Sequence, residues 1–116
     1  GAILFTRLRY DDARTVFMLA PVAVATDRQG EGIGQRLIAH GLDLLRGRGV
    51  DIAVTYGDPA FYGRVGFLPV TEAIIPAPHR LQYPEGWQGQ SLTGLPLSPL
   101  AGPASCVAGF DDPRLW

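Results

Sequence analysis

Residues 21–35 read PVAVATDRQGEGIGQ, a short apolar run that leads into a glycine-rich turn and then into the start of a predicted helix. Gly30, Gly32 and Gly34 lack the Cβ atoms that would hold a ligand away from the main chain. A turn of this kind presents backbone N–H groups and a helix N-terminus to an anion. The stretch therefore predicts a binding site for a phosphorylated ligand, held mainly by the backbone.

Two common phosphate-binding motifs do not fit this turn. A P-loop requires a lysine, and all 10 basic residues of this chain are arginine. A dinucleotide fingerprint requires G-x-G-x-x-G, but Gly34 comes one residue too early, and Asp51 begins the next predicted strand instead of ending it. The pattern that does fit is Q-x-x-G-x-G, filled by Gln29, Gly32 and Gly34.

The hydrophobic pattern predicts alternating strands and helices along the rest of the chain. In chain order, we expect strands over residues 2–9 and 15–25, a helix over 32–48, a strand over 50–55, a short helix from Asp58-Pro59, a strand over 66–70, and strands near 90–97 and 105–108. Pro21 lacks a donor for a sheet hydrogen bond, so the strand around it should be bulged or splayed. Seven of the 10 prolines lie at residue 76 or later, which predicts a loop-rich C-terminal part.

Composition excludes several classes of protein. The 116 residues suffice for one domain, and a net charge of −1 gives no argument for a nucleic acid or an anionic membrane as partner. The sequence has no apolar run of about 18 residues that could span a bilayer. Cys106 has no second cysteine to pair with, which is consistent with a reducing cytoplasm, and the scattered histidines predict no metal site.

The Q-x-x-G-x-G turn resembles the pyrophosphate loop of the GNAT-type N-acetyltransferases, which bind acetyl-coenzyme A. Residues 56–67, YGDPAFYGRVGF, resemble a later signature of that family, in which a tyrosine on a short helix precedes Gly-Phe by four residues. The segment GDPAFYGRVGF and the C-terminal residues AGFDDPRLW are most similar to those of a bacterial subgroup, the YhbS-like predicted acetyltransferases. The resemblance implies an α/β (α+β) fold with a mixed, mostly antiparallel central sheet flanked by helices.

The resemblance also implies roles for individual residues. Tyr62 matches the catalytic tyrosine that donates a proton to the departing sulfur of coenzyme A. The positions matching the family's cofactor-binding segment are Val22, Ala23, Val24, Arg28, Gln29, Gly30, Gly32, Ile33, Gly34, Gln35 and Phe61. No general base is evident, because Met18 stands where histone-type relatives carry a glutamate; water, a preceding segment and His79 are the remaining candidates.

Several of these residues also have a purely structural interpretation. Tyr62 could be a packed core tyrosine, and Val22 and Val24 would be apolar in any strand. We expect His40 to be a partly buried residue of the helix and Cys106 to be a small buried hydrophobic residue.

Compared with a complete domain of that family, residues 1–116 correspond to a single domain that lacks the first strand, two helices and the second strand. Residues 1–70 would form the cofactor-binding core, and residues 71–116 a proline-rich part of strands and loops. The absent helices normally wall the acceptor pocket, so we expect one apolar face of the sheet to be uncovered and to associate with something, for instance a second copy of the chain.

The function that the resemblance implies is transfer of an acetyl group from acetyl-coenzyme A to a primary amine by direct attack. The acceptor, whether a small molecule or a peptide amine, is not identified by the sequence. An alternative is a catalytically silent module that binds coenzyme A or a partner without turnover. A third is a site for another phosphorylated ligand.

Overall fold

The computed structural model describes residues 4–19 and 33–116, and only the backbone of Ile33. The strands and helices are β1 (Phe5–Leu8), β2 (Val16–Leu19), α1 (Ile33–Gly47), β3 (Ile52–Tyr56), α2 (Pro59–Tyr62), β4 (Leu68–Pro69) and β5 (Trp87–Ser91). Short 3-10 helices occur at Gly63–Val65, Pro84–Gly86, Ala108–Phe110 and Pro113–Leu115. Neither helix in the described ranges is long and apolar enough to cross a membrane.

The described strands form one sheet in the order β1-β2-β3-β5-β4. The pairs β1·β2, β3·β5 and β4·β5 are antiparallel, and β2·β3 is parallel. Two parallel neighbours need a long crossover connection, and α1 lies within the connection between β2 and β3. The predicted mixed, mostly antiparallel sheet flanked by helices is therefore confirmed.

Helix α1 follows its sequence prediction closely. Its sheet-facing stripe consists of the buried residues Ile38, Leu42 and Leu45. These pack against Leu19, Ala53 and Phe67 on one face of the sheet. The helix ends at Gly47, and Gly49 then adopts a φ of +80°, a conformation that favours glycine.

On the α1 face, Phe5 and Phe17 are only half-buried beside a cavity of about 410 Å³, so the expectation of an uncovered apolar face stays a prediction. The opposite face of the sheet is covered by the C-terminal part of the chain. Its buried strand residues are Leu8, Val16, Met18, Ile52, Val54 and Trp87. Residues from the C-terminal part of the chain complete this second core, namely Ile75, Leu81, Leu100 and Trp116. Because this covering segment is mostly loop, it has no hydrophobic period that would reveal its role in the sequence.

Several strand boundaries differ from their predictions. The strand expected at residues 90–97 is Trp87–Ser91, and the one expected at 105–108 is reduced to a single bridge between Arg9 and Ser105. Gly94 has a φ of +82° and Pro96 cannot donate to a ladder, so the strand cannot continue there. Of the strand predicted over residues 66–70, only Leu68–Pro69 is in a strand. Of the strand predicted over residues 2–9, the described part contains the strand Phe5–Leu8.

Tyr10 connects the end of β1 to the C-terminal segment and should make stability sensitive to alkaline pH. Its hydroxyl donates to the Pro76 carbonyl oxygen over 2.6 Å, and burial raises the pKa of Tyr10. Above pH ~10 the unfolded chain loses the phenol proton while the folded chain keeps it, so the unfolding free energy should fall by up to about 1.4 kcal/mol per pH unit.

Denaturant unfolding between pH 7 and pH 11 tests this expectation. The Tyr10→Phe variant should be less stable at pH 7 by about 1 kcal/mol, because the Pro76 carbonyl loses its donor. Its stability should decline less steeply above pH 10 than that of the parent chain. Equal slopes for the two proteins would contradict a role for Tyr10.

Candidate functional site

The carboxyl ends of β2 and β3 meet at one edge of the sheet, because the two strands are parallel and in register. We call this end, formed by Leu19, Thr55 and Tyr56, the carboxyl edge. The buried Thr55 hydroxyl donates to the Leu19 carbonyl oxygen over 3.3 Å. The bond joins the last residue of β2 to the penultimate residue of β3, so the edge has a defined geometry.

Helix α2 starts directly after β3 and carries two aromatic side chains at the carboxyl edge. Asp58 caps it by accepting a hydrogen bond from the Ala60 backbone N–H over 2.9 Å, and Pro59 follows as the first helical residue. The chain turns back at Gly66, whose φ of +96° favours glycine. The next residue returns to the helix, since the Phe67 N–H donates to the Tyr62 carbonyl oxygen over 3.3 Å.

Tyr62 is half-buried among aromatic and small residues. Its ring packs edge-on against Phe61, with centroids 5.0 Å apart, and against Phe67 at 6.0 Å. Gly57 also faces it, since a Cβ atom there would lie 2.8 Å from Cε2 of Tyr62. The absence of a side chain at Gly57 therefore creates the space in which the phenol ring sits.

The phenol of Tyr62 stays protonated over the physiological pH range. Burial is the largest cause that raises the pKa of Tyr62 above its ordinary value of 10.0, the nearby Thr55 hydroxyl opposes the rise, and the Asp58 carboxylate adds to it. A group in this state can donate a proton but cannot act as a base near neutral pH.

Phe61 connects the short helix to the start of α1. A Cβ atom on Gly34 would lie 3.4 Å from the tip of the Phe61 ring, so this ring rests against the first turn of α1. The structure thus brings together residues from both sequence signatures, Gly34 from the first and Phe61 and Tyr62 from the second. Gln35, also in the first turn, is half-buried, and Ile33 is the first residue of the helix.

The remaining predicted cofactor-binding residues are not described by the structure. Val22, Ala23, Val24, Arg28, Gln29, Gly30 and Gly32 lie outside the described residues. Their roles stay predictions.

Neither candidate position for a general base gains support from its surroundings. Met18 is buried in the core on the face of the sheet opposite to Tyr62, and a thioether cannot accept the proton. His79 contacts Asp111, with 2.7 Å between Nε2 and Oδ1, and lies beside Trp116 of that same opposite core. The structure thus places His79 in the C-terminal covering segment.

The burial predicted for His40 and Cys106 can be compared with the structure. His40 is exposed on α1, so the prediction that it is partly buried is wrong. Cys106 is half-buried and packs against the core, and burial is the main cause that raises its pKa.

Within the described residues, no group of three His, Cys, Asp or Glu side chains could hold a metal ion.

Sequence reasoning missed a cavity of about 400 Å³ at the turn that follows β3. Its lining residues are Tyr56, Gly57, Pro59, Tyr83, Glu85 and Gly86. The signal that could have revealed it is the turn Tyr-Pro-Glu-Gly at residues 83–86, which places an aromatic ring and a carboxylate just before a buried strand.

Comparison with known proteins identifies related sequences. The model of a family described as "Acetyltransferase (GNAT) family" matches residues 1–67. An uncharacterized N-acetyltransferase of Escherichia coli K12, YjhQ, is 37% identical over 113 residues, which cover 92% of this chain. The matched region is 62% of YjhQ, so the chain spans less than two thirds of that relative.

Two solved structures share the fold. The GNAT family N-acetyltransferase YhbS from Escherichia coli, in complex with CoA, has a TM-score of 0.72 at 24% identity, covering 95% of this chain and 61% of that protein. A GNAT family acetyltransferase from Brucella melitensis, in complex with acetyl-CoA, has a TM-score of 0.66 at 34% identity, covering 94% of this chain and 59% of that protein.

Proposed function

Because the chain belongs to the acetyltransferase (GNAT) family, we propose that it transfers the acetyl group of acetyl-coenzyme A to a primary amine. The observation that carries the proposal is the position of Tyr62. This protonated phenol lies at the carboxyl edge, on a short helix that also places Phe61 against the first turn of α1. A proton donor next to a helix N-terminus suits a thiolate leaving group attached to a phosphorylated carrier.

The described part of the cofactor site fits coenzyme A. Gly34 leaves the first turn of α1 without a side chain, and Phe61 offers an apolar ring beside it. We propose that the backbone N–H groups of residues 29–35 hold the pyrophosphate and that Arg28 lies near a phosphate. Val22, Ala23 and Val24 would bind the pantetheine arm through their backbone. The acetyl-CoA complex of the Brucella relative supports acetyl-coenzyme A as the ligand.

Bound acetyl-coenzyme A would supply the thioester carbonyl that the amine attacks. The acceptor first loses a proton to solvent and reacts as the neutral amine. As the new N–C bond forms and the C–S bond breaks, the phenol of Tyr62 gives its proton to sulfur. The attacking nitrogen releases its second proton to solvent, and the phenolate recovers one there. The products are the N-acetylated amine and free coenzyme A.

The acceptor and the location in the cell are further parts of the proposal. A small-molecule or peptide amine is the proposed acceptor class, and a cytoplasmic location and a homodimer stay predictions. The net charge of −1 gives no electrostatic reason to expect a strongly charged partner.

Two measurements on the full chain test the function. Calorimetry with coenzyme A should show saturable binding, and thiol release from acetyl-coenzyme A should increase when a panel of primary amines is added. Binding without thiol release for any amine would support the silent module instead. Absence of coenzyme A binding, with binding of another nucleotide, would support a site for a different phosphorylated ligand.

A further inference from the structure

The cavity at the carboxyl edge has the size and construction of a small-molecule site. Its volume of about 400 Å³ lies within the ~300–1,000 Å³ range that is usual for such pockets. It lies between the turn after β3, which contains Gly57 and Pro59, and the turn before β5, which contains Tyr83 and Glu85. The family resemblance assigns no role to Tyr83 or to Glu85.

Buried hydrogen bonds fix the floor of this cavity. The Gly57 backbone N–H donates to the Gly86 carbonyl oxygen over 3.0 Å. The fully buried Gln88 side chain donates from Nε2 to the carbonyl oxygens of both Gly57 and Gly86, each over 3.1 Å. A Cβ atom on Gly86 would lie 2.9 Å from the Gly57 carbonyl oxygen, so the two turns can approach this closely only with glycine at 86.

The cavity adjoins the proposed proton donor. Gly57 lines the cavity and also faces the ring of Tyr62, with no side chain of its own between the two. The cavity and the ring of Tyr62 therefore share Gly57 as a common neighbour.

The lining of the cavity favours a positive charge. Glu85 is the charged residue among the described lining residues, and its carboxylate is exposed at the cavity. Tyr83 is exposed and adds an aromatic ring of the kind that attracts cations, while Tyr56, whose ring stacks on Trp116, adds an apolar wall. Asp58, next to Gly57 and Pro59 in the chain, contributes a second exposed carboxylate nearby.

We propose that this cavity binds the distal ammonium group of a diamine acceptor, a proposal that rests on the acetyltransferase function. Glu85 pairs with that ammonium group, and the rings of Tyr56 and Tyr83 pack against the carbon chain. Because the cavity lies beside Tyr62 and not at it, the other amino group of the same molecule extends past Gly57 toward the thioester. An uncharged diol of equal length, 1,5-pentanediol, lacks the ammonium group that the cavity recognises.

NMR titration of the full chain with 1,5-diaminopentane and with the uncharged 1,5-pentanediol tests the proposal without requiring turnover. The diamine should shift the backbone amide signals of Gly57 and Gly86 and should bind about fivefold more tightly than the diol, as expected for an exposed ion pair. Glu85→Gln should remove this preference and leave the binding of the diol unchanged. Glu72→Gln is the matched control, because Glu72 is exposed and does not line the cavity.

The outcomes separate this proposal from the acetyltransferase function. Equal affinities for the diamine and the diol, a preference that survives Glu85→Gln, or signal shifts at residues other than Gly57 and Gly86 would each overturn it, even if coenzyme A binds and thiol release occurs. Conversely, a diamine preference that depends on Glu85 supports the cavity assignment, while calorimetry with coenzyme A tests the acetyltransferase function independently.

Discussion

Replacing Tyr62 with phenylalanine is expected to slow amine-dependent thiol release by ~10²- to 10⁴-fold, the usual contribution of a positioned proton donor. The ring would keep its edge-on contacts with Phe61 and Phe67, so the fold around the helix should persist. Affinity for coenzyme A should be unchanged, because the hydroxyl is proposed to act on the leaving sulfur and not on the bound carrier. Steady-state rates and calorimetry measure the two quantities separately.

The pH dependence of the parent enzyme provides a second test of this role. The pKa of Tyr62 is raised above 10.0, chiefly by burial, so the phenol is protonated throughout the neutral range. The rate should therefore rise from pH 7 to pH 9 as the acceptor loses its proton, without a decline caused by Tyr62.

Tyr10→Phe is the matched control for the loss of one phenol hydroxyl. Tyr10 packs against the core on the other face of the sheet and bonds to Pro76, so its variant should lose stability but keep the parent rate at a temperature where it is folded. A Tyr62→Phe rate within about twofold of the parent would show that Tyr62 is a packed core tyrosine and not the proton donor.

The sequence predicted the parts of the fold that have a strong local signal. Helix α1 was predictable because its apolar residues recur at helical spacing and glycines follow its last turn. Helix α2 was predictable from Asp58-Pro59, since an aspartate cap followed by proline is a reliable start signal. The contact between Phe61 and Gly34 agrees with the inference that the two signatures belong to one site.

The parts that could not be predicted depend on long-range contacts. Gln88 and Gln90 are polar, yet both are buried in the sheet because their amides donate to the turn carbonyls of Gly57, Gly86 and Val65. Gly57 and Val65 lie 31 and 25 residues before the glutamines that contact them, so the sequence near residue 88 does not reveal these bonds, and the strand was predicted to start too late.

The covering of the second sheet face was unpredictable for a similar reason. Ile75, Leu81, Leu100 and Trp116 reach the core from separate loops, and none of them belongs to a periodic run. The cavity beside Tyr62 also arises from two turns that are distant in the sequence. Its residues become a recognisable group only after β3 and β5 have paired.

Replacing Trp87 with alanine is expected to lower the unfolding free energy by about 3–5 kcal/mol, the usual effect of truncating a large buried aromatic side chain. The Trp87 side chain is fully buried, and its indole N–H donates to the Ile75 carbonyl oxygen over 2.8 Å. Its ring packs edge-on against Tyr56 and Trp116, with centroids 6.1 and 5.8 Å apart. Because domains are stable by only about 5–15 kcal/mol, this loss is a large fraction of the total.

Urea unfolding measures the effect, with Leu95→Ala as the control, because Leu95 is 69% exposed and its truncation should change stability by less than about 0.5 kcal/mol. If Trp87→Ala does not fold, Trp87→Phe should still show an intermediate loss, since it keeps a ring but leaves the Ile75 carbonyl without its donor. A midpoint shift no larger than that of Leu95→Ala would contradict the assignment. Since Trp87 supports Tyr56, a wall of the cavity, the folded Trp87→Phe variant should also bind 1,5-diaminopentane less tightly.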